Sequence, residues 1–232
     1  MYKCIDKPLE IGYAKNMNIN QLLKIAKEEL NAPKFEVTKQ FLDVNKVEQN
    51  ENGDYICDRY DINNKENAIS FYFKIKEEEY FLCVIVNIND NLVKWIYPEN
   101  SNRCYLTATS EELSLKELSG ITKLRYSSGW SKGDKRKNGS TYNFSRINFE
   151  FFEKKSYDME NLLSLVLDIL EKDKEGVTEL TKKAFTHIAI CKYQYINANS
   201  GIHLDIKTIE RLSKLNLELD IDMYIVGNQY KE

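Results

Sequence analysis

The chain has 232 residues, 42% of them apolar and 30% charged, with a formal net charge of -3. That is enough apolar material for one large core or two small ones, and it argues against a disordered chain. The longest unbroken apolar stretch, Tyr80 to Val86, falls far short of the about 20 residues that a membrane-crossing helix needs, so no membrane role is expected.

The opening residues Met1 to Lys7 put charges where a secretory leader needs a hydrophobic core, which places the protein in the cytoplasm. Ile19, Leu22, Leu23, Ile25, Ala26 and Leu30 recur at helical spacing and Pro33 follows, predicting an amphipathic helix over residues 18 to 31. The period then changes to that of strands. Phe35 to Val37 and Tyr55 to Cys57 are short candidates, Ile69 to Ile75 alternates, Phe81 to Val86 is apolar on both faces, and Leu92 to Tyr97 follows a turn at Asn89 to Asn91. The short gaps between the last three predict an antiparallel meander with its middle strand buried on both sides. Pro98 to Asn102 breaks the pattern, so a boundary is expected there between a helix-plus-meander region, 1-99, and a second region, 103-232, packed against it.

In the second region Cys104 to Thr109 reads as a strand, Ser114 to Leu118 as a helical turn ending at Gly120, and Gly129 to Ser140 as a polar loop. The strand after the loop points Ile147, Phe149 and Phe151 to one side. Asp158 and Asp205 are placed to cap two helices, whose stripes Leu162, Leu163, Val166, Leu167, Leu170 and Ile206, Ile209, Leu212, Leu215 should each face a sheet. A further helix is expected over Thr178 to Phe185, a strand over His187 to Tyr195, and a last strand that alternates from Leu217 to Ile225. The fold class expected is α/β in the broad α+β sense, with antiparallel or mixed sheets and helices on one face.

The chemistry-bearing residues are sparse. Five cysteines with no CxxC pair read as reduced core thiols, and only two histidines, His187 and His203, are present. With no third histidine, neither a nucleophilic triad nor a three-ligand zinc site can be assembled convincingly, so no catalytic residue, metal site or cofactor is expected. Gly129-x-x-x-Gly133 lacks the Lys-Ser/Thr step of a phosphate loop. Lys123 to Lys137 holds six cations against Asp134 alone, with Tyr126 and Trp130 interleaved, and such a loop can grip phosphates and stack a base. The acidic balance elsewhere, 13 Lys and Arg against 17 Asp and Glu over residues 1-99, favours a solvated loop with Trp130 packed back on the domain, and counts against a nucleic-acid partner. Glu218, Asp220 and Asp222 lie on one face of a strand, where they form a solvated outer side or meet a basic partner. Two alternatives stay open: a small metal-dependent hydrolase using Asp220, Asp222 and His203, and a nucleic-acid-linked accessory protein using the Lys132 to Lys137 loop. Tyr193, Tyr195 and Tyr224 combine contact area with a polar end, as a binding face requires. The residues expected at a partner interface are therefore Glu218, Asp220, Asp222, Tyr224, Tyr193, Tyr195, Trp130, Lys132 and Arg136.

The order Tyr105-Leu106-Thr107-Ala108-Thr109, Leu115 to Leu118, Trp130-Ser131-Lys132-Gly133-Asp134, Met159 to Leu163, Gly201-Ile202-His203-Leu204 and Glu218 to Tyr224 resembles a bacterial domain family of unknown function, number 4279 in its series. The resemblance covers residues of about 105 to 227 and implies a small α/β sandwich with no assigned catalytic residue; the first hundred residues depart from it. In general character, acidic α/β chains of this kind are similar to the immunity proteins of bacterial toxin systems. That likeness implies a protein partner, a cognate toxin such as a nuclease.

Overall fold

A computed structural model describes residues 18-152, 155-198 and 200-231; Cys4 and the leader reading at Met1 to Lys7 lie outside them. The chain forms two compact units. One comprises Asn102–Lys192 and Gly201–Met223; the other holds the described residues through Ser101 together with Tyr193–Ser200 and the residues from Tyr224 onward.

The second of these units begins with α1 (Ile19–Asn31), capped by the Asn18 carboxamide, which accepts from the Gln21 amide. Leu22, Ala26 and Leu30 are its buried stripe. After Pro33 the buried Glu29 carboxylate accepts the Lys34 and Phe35 amides at 3.0 and 3.1 Å, which turns the chain directly into a second helix, α2 (Glu36–Leu42). The expected strand at Phe35 to Val37 is thus corrected. Thr38 and Phe41, three residues apart and fully buried, follow the helical period and not the strand period. Strands β1 (Cys57–Asn63), β2 (Ala68–Lys74), β3 (Phe81–Asn87) and β4 (Val93–Glu99) pair antiparallel in chain order. Central β3 is buried on both faces, while Pro98 lies in β4, an outer strand, where a missing amide hydrogen is tolerated. Cys83, at 0% exposure, is a free thiol that burial pushes up to about 12.

The other unit is built on a mixed five-stranded sheet. Its strands are β5 (Ser101–Ser110), β6 (Ser128–Trp130), β7 (Ser145–Phe149), β8 (Phe185–Tyr195) and β9 (Glu218–Val226), in the spatial order β6-β7-β5-β8-β9. The helices are α3 (Leu115–Ser119), α4 (Met159–Leu170), α5 (Lys174–Lys183) and α6 (Ile206–Lys214). Ser114 and Glu117 close a reciprocal capping box on α3, and the Asp158 and Asp205 carboxylates accept the Asn161 and Thr208 amides at 2.9 and 2.7 Å. One core gathers Leu106, Ala108, Ile147, Phe149, Ile188 and Ile190 from one face of the sheet against Leu163, Val166, Leu167 and Leu170 of α4, Val177 and Leu180 of α5, and Leu212 of α6. The helices therefore cover a single face of this sheet. At Gly129 a Cβ would sit 2.5 Å from the Arg146 carbonyl and 2.6 Å from Leu115, so only glycine lets β6 pair with β7 beneath α3.

The stripe expected on α6 is only half used. Leu212 and Leu215 are buried, but Ile206 is 70% and Ile209 48% exposed and neither belongs to the core. The first turn of α6 projects beyond the apolar layer that its last turn completes.

Candidate functional site

Alternation along the strands sends the remaining side chains to the face of the five-stranded sheet opposite the helices. There the structure sets Arg103, Tyr105, Thr107 and Thr109 of β5 beside Arg146 and Asn148 of β7, Ser128 and Trp130 of β6, His187 of β8, and Glu218, Asp220 and Asp222 of β9. Glu150 follows directly after β7.

Towards β6 this face is basic and held in place. Arg103 grips the Glu150 carboxylate with two nitrogens, at 2.8 and 2.7 Å, and lies over the Tyr105 ring. Arg146 Nε donates to Thr107 Oγ1 and Asn148 Oδ1, both at 2.9 Å, and Asn148 in turn donates to Ser128 Oγ. The Arg146 guanidinium rests 5.8 Å from the centre of the Trp130 ring, which stacks on Tyr142 at 4.4 Å, and Arg136 lies over Tyr142 at 4.6 Å. Trp130 is therefore engaged by this chain's own residues. The loop that follows is similarly tied: Lys132 Nζ donates to the Glu111 carbonyl, the Ser131 amide to the Asp134 carboxylate and the Arg136 amide to the Ser140 carbonyl. Tyr142 already occupies a face of the Trp130 ring on which a base would stack.

Towards β9 the same face is acidic and open. Asp220 approaches His187 Nε2 at 4.0 Å, with the imidazole mostly buried and the carboxylate mostly exposed. Burial holds His187 below the usual histidine range, Arg146 pushes the same way, and Asp220, Glu218 and Asp222 oppose the shift. The His187 ring packs 5.0 Å from Phe185, itself 60% exposed. Phe185 separates two shallow depressions of about 230 and 530 Å³, the first also lined by Glu218 and Asn216, the second by Glu111, Glu112 and Phe144. In β9 beyond Asp222, Met223 is 51% exposed and Ile225 56%.

Of the residues expected at an interface, Glu218, Asp220, Asp222 and Trp130 thus share one sheet face, while Lys132 and Arg136 are exposed in the adjoining loop. Tyr193 and Tyr224, in the second unit, stack on each other with centres 5.0 Å apart. Tyr195 has no surface to offer. It is fully buried in the second unit's core, its hydroxyl donating to the Asn228 carbonyl at 2.6 Å and its ring among Phe41, Tyr80 and Tyr230. His203 is exposed, with its backbone amide near Glu160 Oε1. Among the described residues, no group of three or more His, Cys, Asp and Glu side chains is arranged to hold a metal ion. Sequence reading missed Arg103, Arg146, Glu150 and Phe185; their shared face could be read from strand parity, but their pairing needs the register across β5 and β7.

No helix among the described residues is long and apolar enough to cross a membrane. No curated protein and no solved structure matches the chain. A family model, Domain of unknown function (DUF4279), matches residues 99–226, which contain β5 to β9, α3 to α6 and the whole candidate face. That span is more than half of the 232 residues, and the chain belongs to the domain of unknown function 4279 family.

Proposed function

We propose that this chain is a protein-binding module, an immunity protein that neutralises a cognate bacterial toxin in the cytoplasm by occluding it. The observation that carries the reading is the company the acids keep. Glu218, Asp220 and Asp222 stand exposed on a sheet face that also shows Phe185, and the same strand exposes Met223 on its other side. Large exposed apolar side chains beside a row of like charges are the makings of an interface: the apolar groups supply burial, the charges supply steering and choice of partner. The depressions beside Phe185 are open and lined by polar and apolar side chains together, which suits an interface better than enclosure of a small substrate.

The partner that fits is cationic. A toxin acting on nucleic acid carries a basic cleft, and a row of carboxylates spaced about 6.7 Å apart along a strand stands in for phosphate charge. Growth rescue tests the proposal. Cells expressing a toxin encoded beside this gene should survive when the chain is co-expressed and die when it carries Asp220→Lys and Asp222→Lys. Equal survival with the charge-reversed chain, present at equal abundance, would refute the placement of the interface; absence of rescue by the parent would refute the immunity role.

A further inference from the structure

The outer edge of β9 supplies a second element of recognition. The Val226 carbonyl accepts from the Ile196 amide at 2.9 Å, so Val226 directs its backbone groups inward, towards the segment that continues β8. The N–H and C=O of one strand residue point to the same side, and the side alternates along the chain. Asp222 and Asp220 therefore also bond inward, while Leu219, Ile221, Met223 and Ile225 direct their amides and carbonyls away from the sheet. Among the described residues no strand lies beyond β9.

Monomeric proteins blunt such edges with proline, lysine, bulges or very short strands. The nine residues of β9, Glu-Leu-Asp-Ile-Asp-Met-Tyr-Ile-Val, contain neither proline nor lysine. Three acids crowd one of its faces and Met223 and Ile225 stand exposed on the other. A second copy is a poor occupant, because the full-length antiparallel register sets Asp222 against Asp222, and the register centred on Ile221 sets Asp220 against Asp222 twice. A strand with basic side chains on the acidic face and apolar ones on the other meets both faces with complementary chemistry.

We infer that β9 is a strand-pairing site for an extended segment of a partner protein that alternates basic and apolar side chains. The main-chain ladder to Leu219, Ile221 and Met223 supplies affinity, and the carboxylates of Glu218, Asp220 and Asp222 select the sequence. This rests on the reading of the chain as a protein binder, not on the partner being a toxin.

The test uses the whole chain and a synthetic peptide as long as β9 that alternates lysine and valine. Saturable binding is expected by fluorescence anisotropy. Exchange of the Ile221 and Met223 amides should slow at least about tenfold, and Asp220→Asn with Asp222→Asn should weaken binding by a similar factor. A peptide with N-methyl groups along the pairing edge should not bind, because it keeps the charges but loses the ladder. Equal binding by the N-methylated peptide, slow exchange at Ile221 and Met223 in the free chain, no saturable binding, or self-association through β9 would each overturn the inference. Peptide binding without growth rescue would uphold the edge and refute the toxin; rescue without peptide binding would do the reverse.

Discussion

His187 carries a direct pH consequence. Burial lowers its pKa, Arg146 adds to the shift, and the carboxylates of Asp220, Glu218 and Asp222 offset only part of it. The folded chain thus holds the imidazole neutral over a range where the unfolded chain binds a proton, below about 6.5. Stability is full above that value and is lost as pH falls through it towards the lower folded pKa. Between pH of about 7 and about 5.5 the parent should therefore lose more urea resistance than His187→Gln does; equal losses would show that His187 is not the group responsible. Gly227 gives a second residue-scale prediction. Its φ of 85° suits glycine, and a Cβ there would stand 2.5 Å from the Tyr195 ring and 2.7 Å from the Tyr80 hydroxyl. Gly227→Ala should cost about 2 kcal/mol or more in equilibrium unfolding, combining left-handed strain with collision in the core.

Within the elements, the division of α6 can be measured. Leu212 completes the core, so Leu212→Ala should cost about 2 to 4 kcal/mol, whereas Ile206→Ser, at a residue 70% exposed, should stay within about 0.5 kcal/mol. Similar costs at the two positions would contradict the overhanging first turn. Arg211 fixes the helix from the side, through Asp168 at 2.6 Å, Glu171 at 2.7 Å and Ser164 at 3.1 Å on or next to α4. These examples also show what the sequence makes legible. The α1 stripe, the β2 to β4 meander and the Asp158 and Asp205 caps follow from local spacing, and the structure contains them all. Strand β1, Cys-Asp-Arg-Tyr-Asp-Ile-Asn, escapes notice because an outer strand with four exposed residues has no apolar alternation to read. The acidic row of β9 was legible because parity alone defines it. Tyr195 was misplaced because parity groups it with Tyr193, and only the tertiary arrangement shows that it enters a core. The Arg103–Glu150 pair spans 47 positions and becomes visible only with the strand order known.

Across the whole molecule a net charge of -3 hides a separation that one sheet face makes explicit: guanidinium groups tied down towards β6, carboxylates exposed towards β9. The acidic end presents exposed carboxylates that can meet a partner, and such charge accelerates encounter more than it deepens the bound state. Buried aromatic contact acts on dissociation instead. Phe185→Ala should accordingly raise the dissociation rate from the toxin about 30-fold, equivalent to about 2 kcal/mol, while leaving association nearly unchanged. The most direct measurement is the association rate of the purified chain with a candidate cognate toxin, followed across ionic strength. It is compared with the same rate for Glu218→Gln, Asp220→Asn and Asp222→Asn combined. The parent should associate fast at low salt and slow steeply as salt is added, and the triple variant should start about tenfold slower or more and respond weakly. A salt-independent rate that the triple substitution leaves unchanged would contradict the assignment of the β9 acids to the binding face.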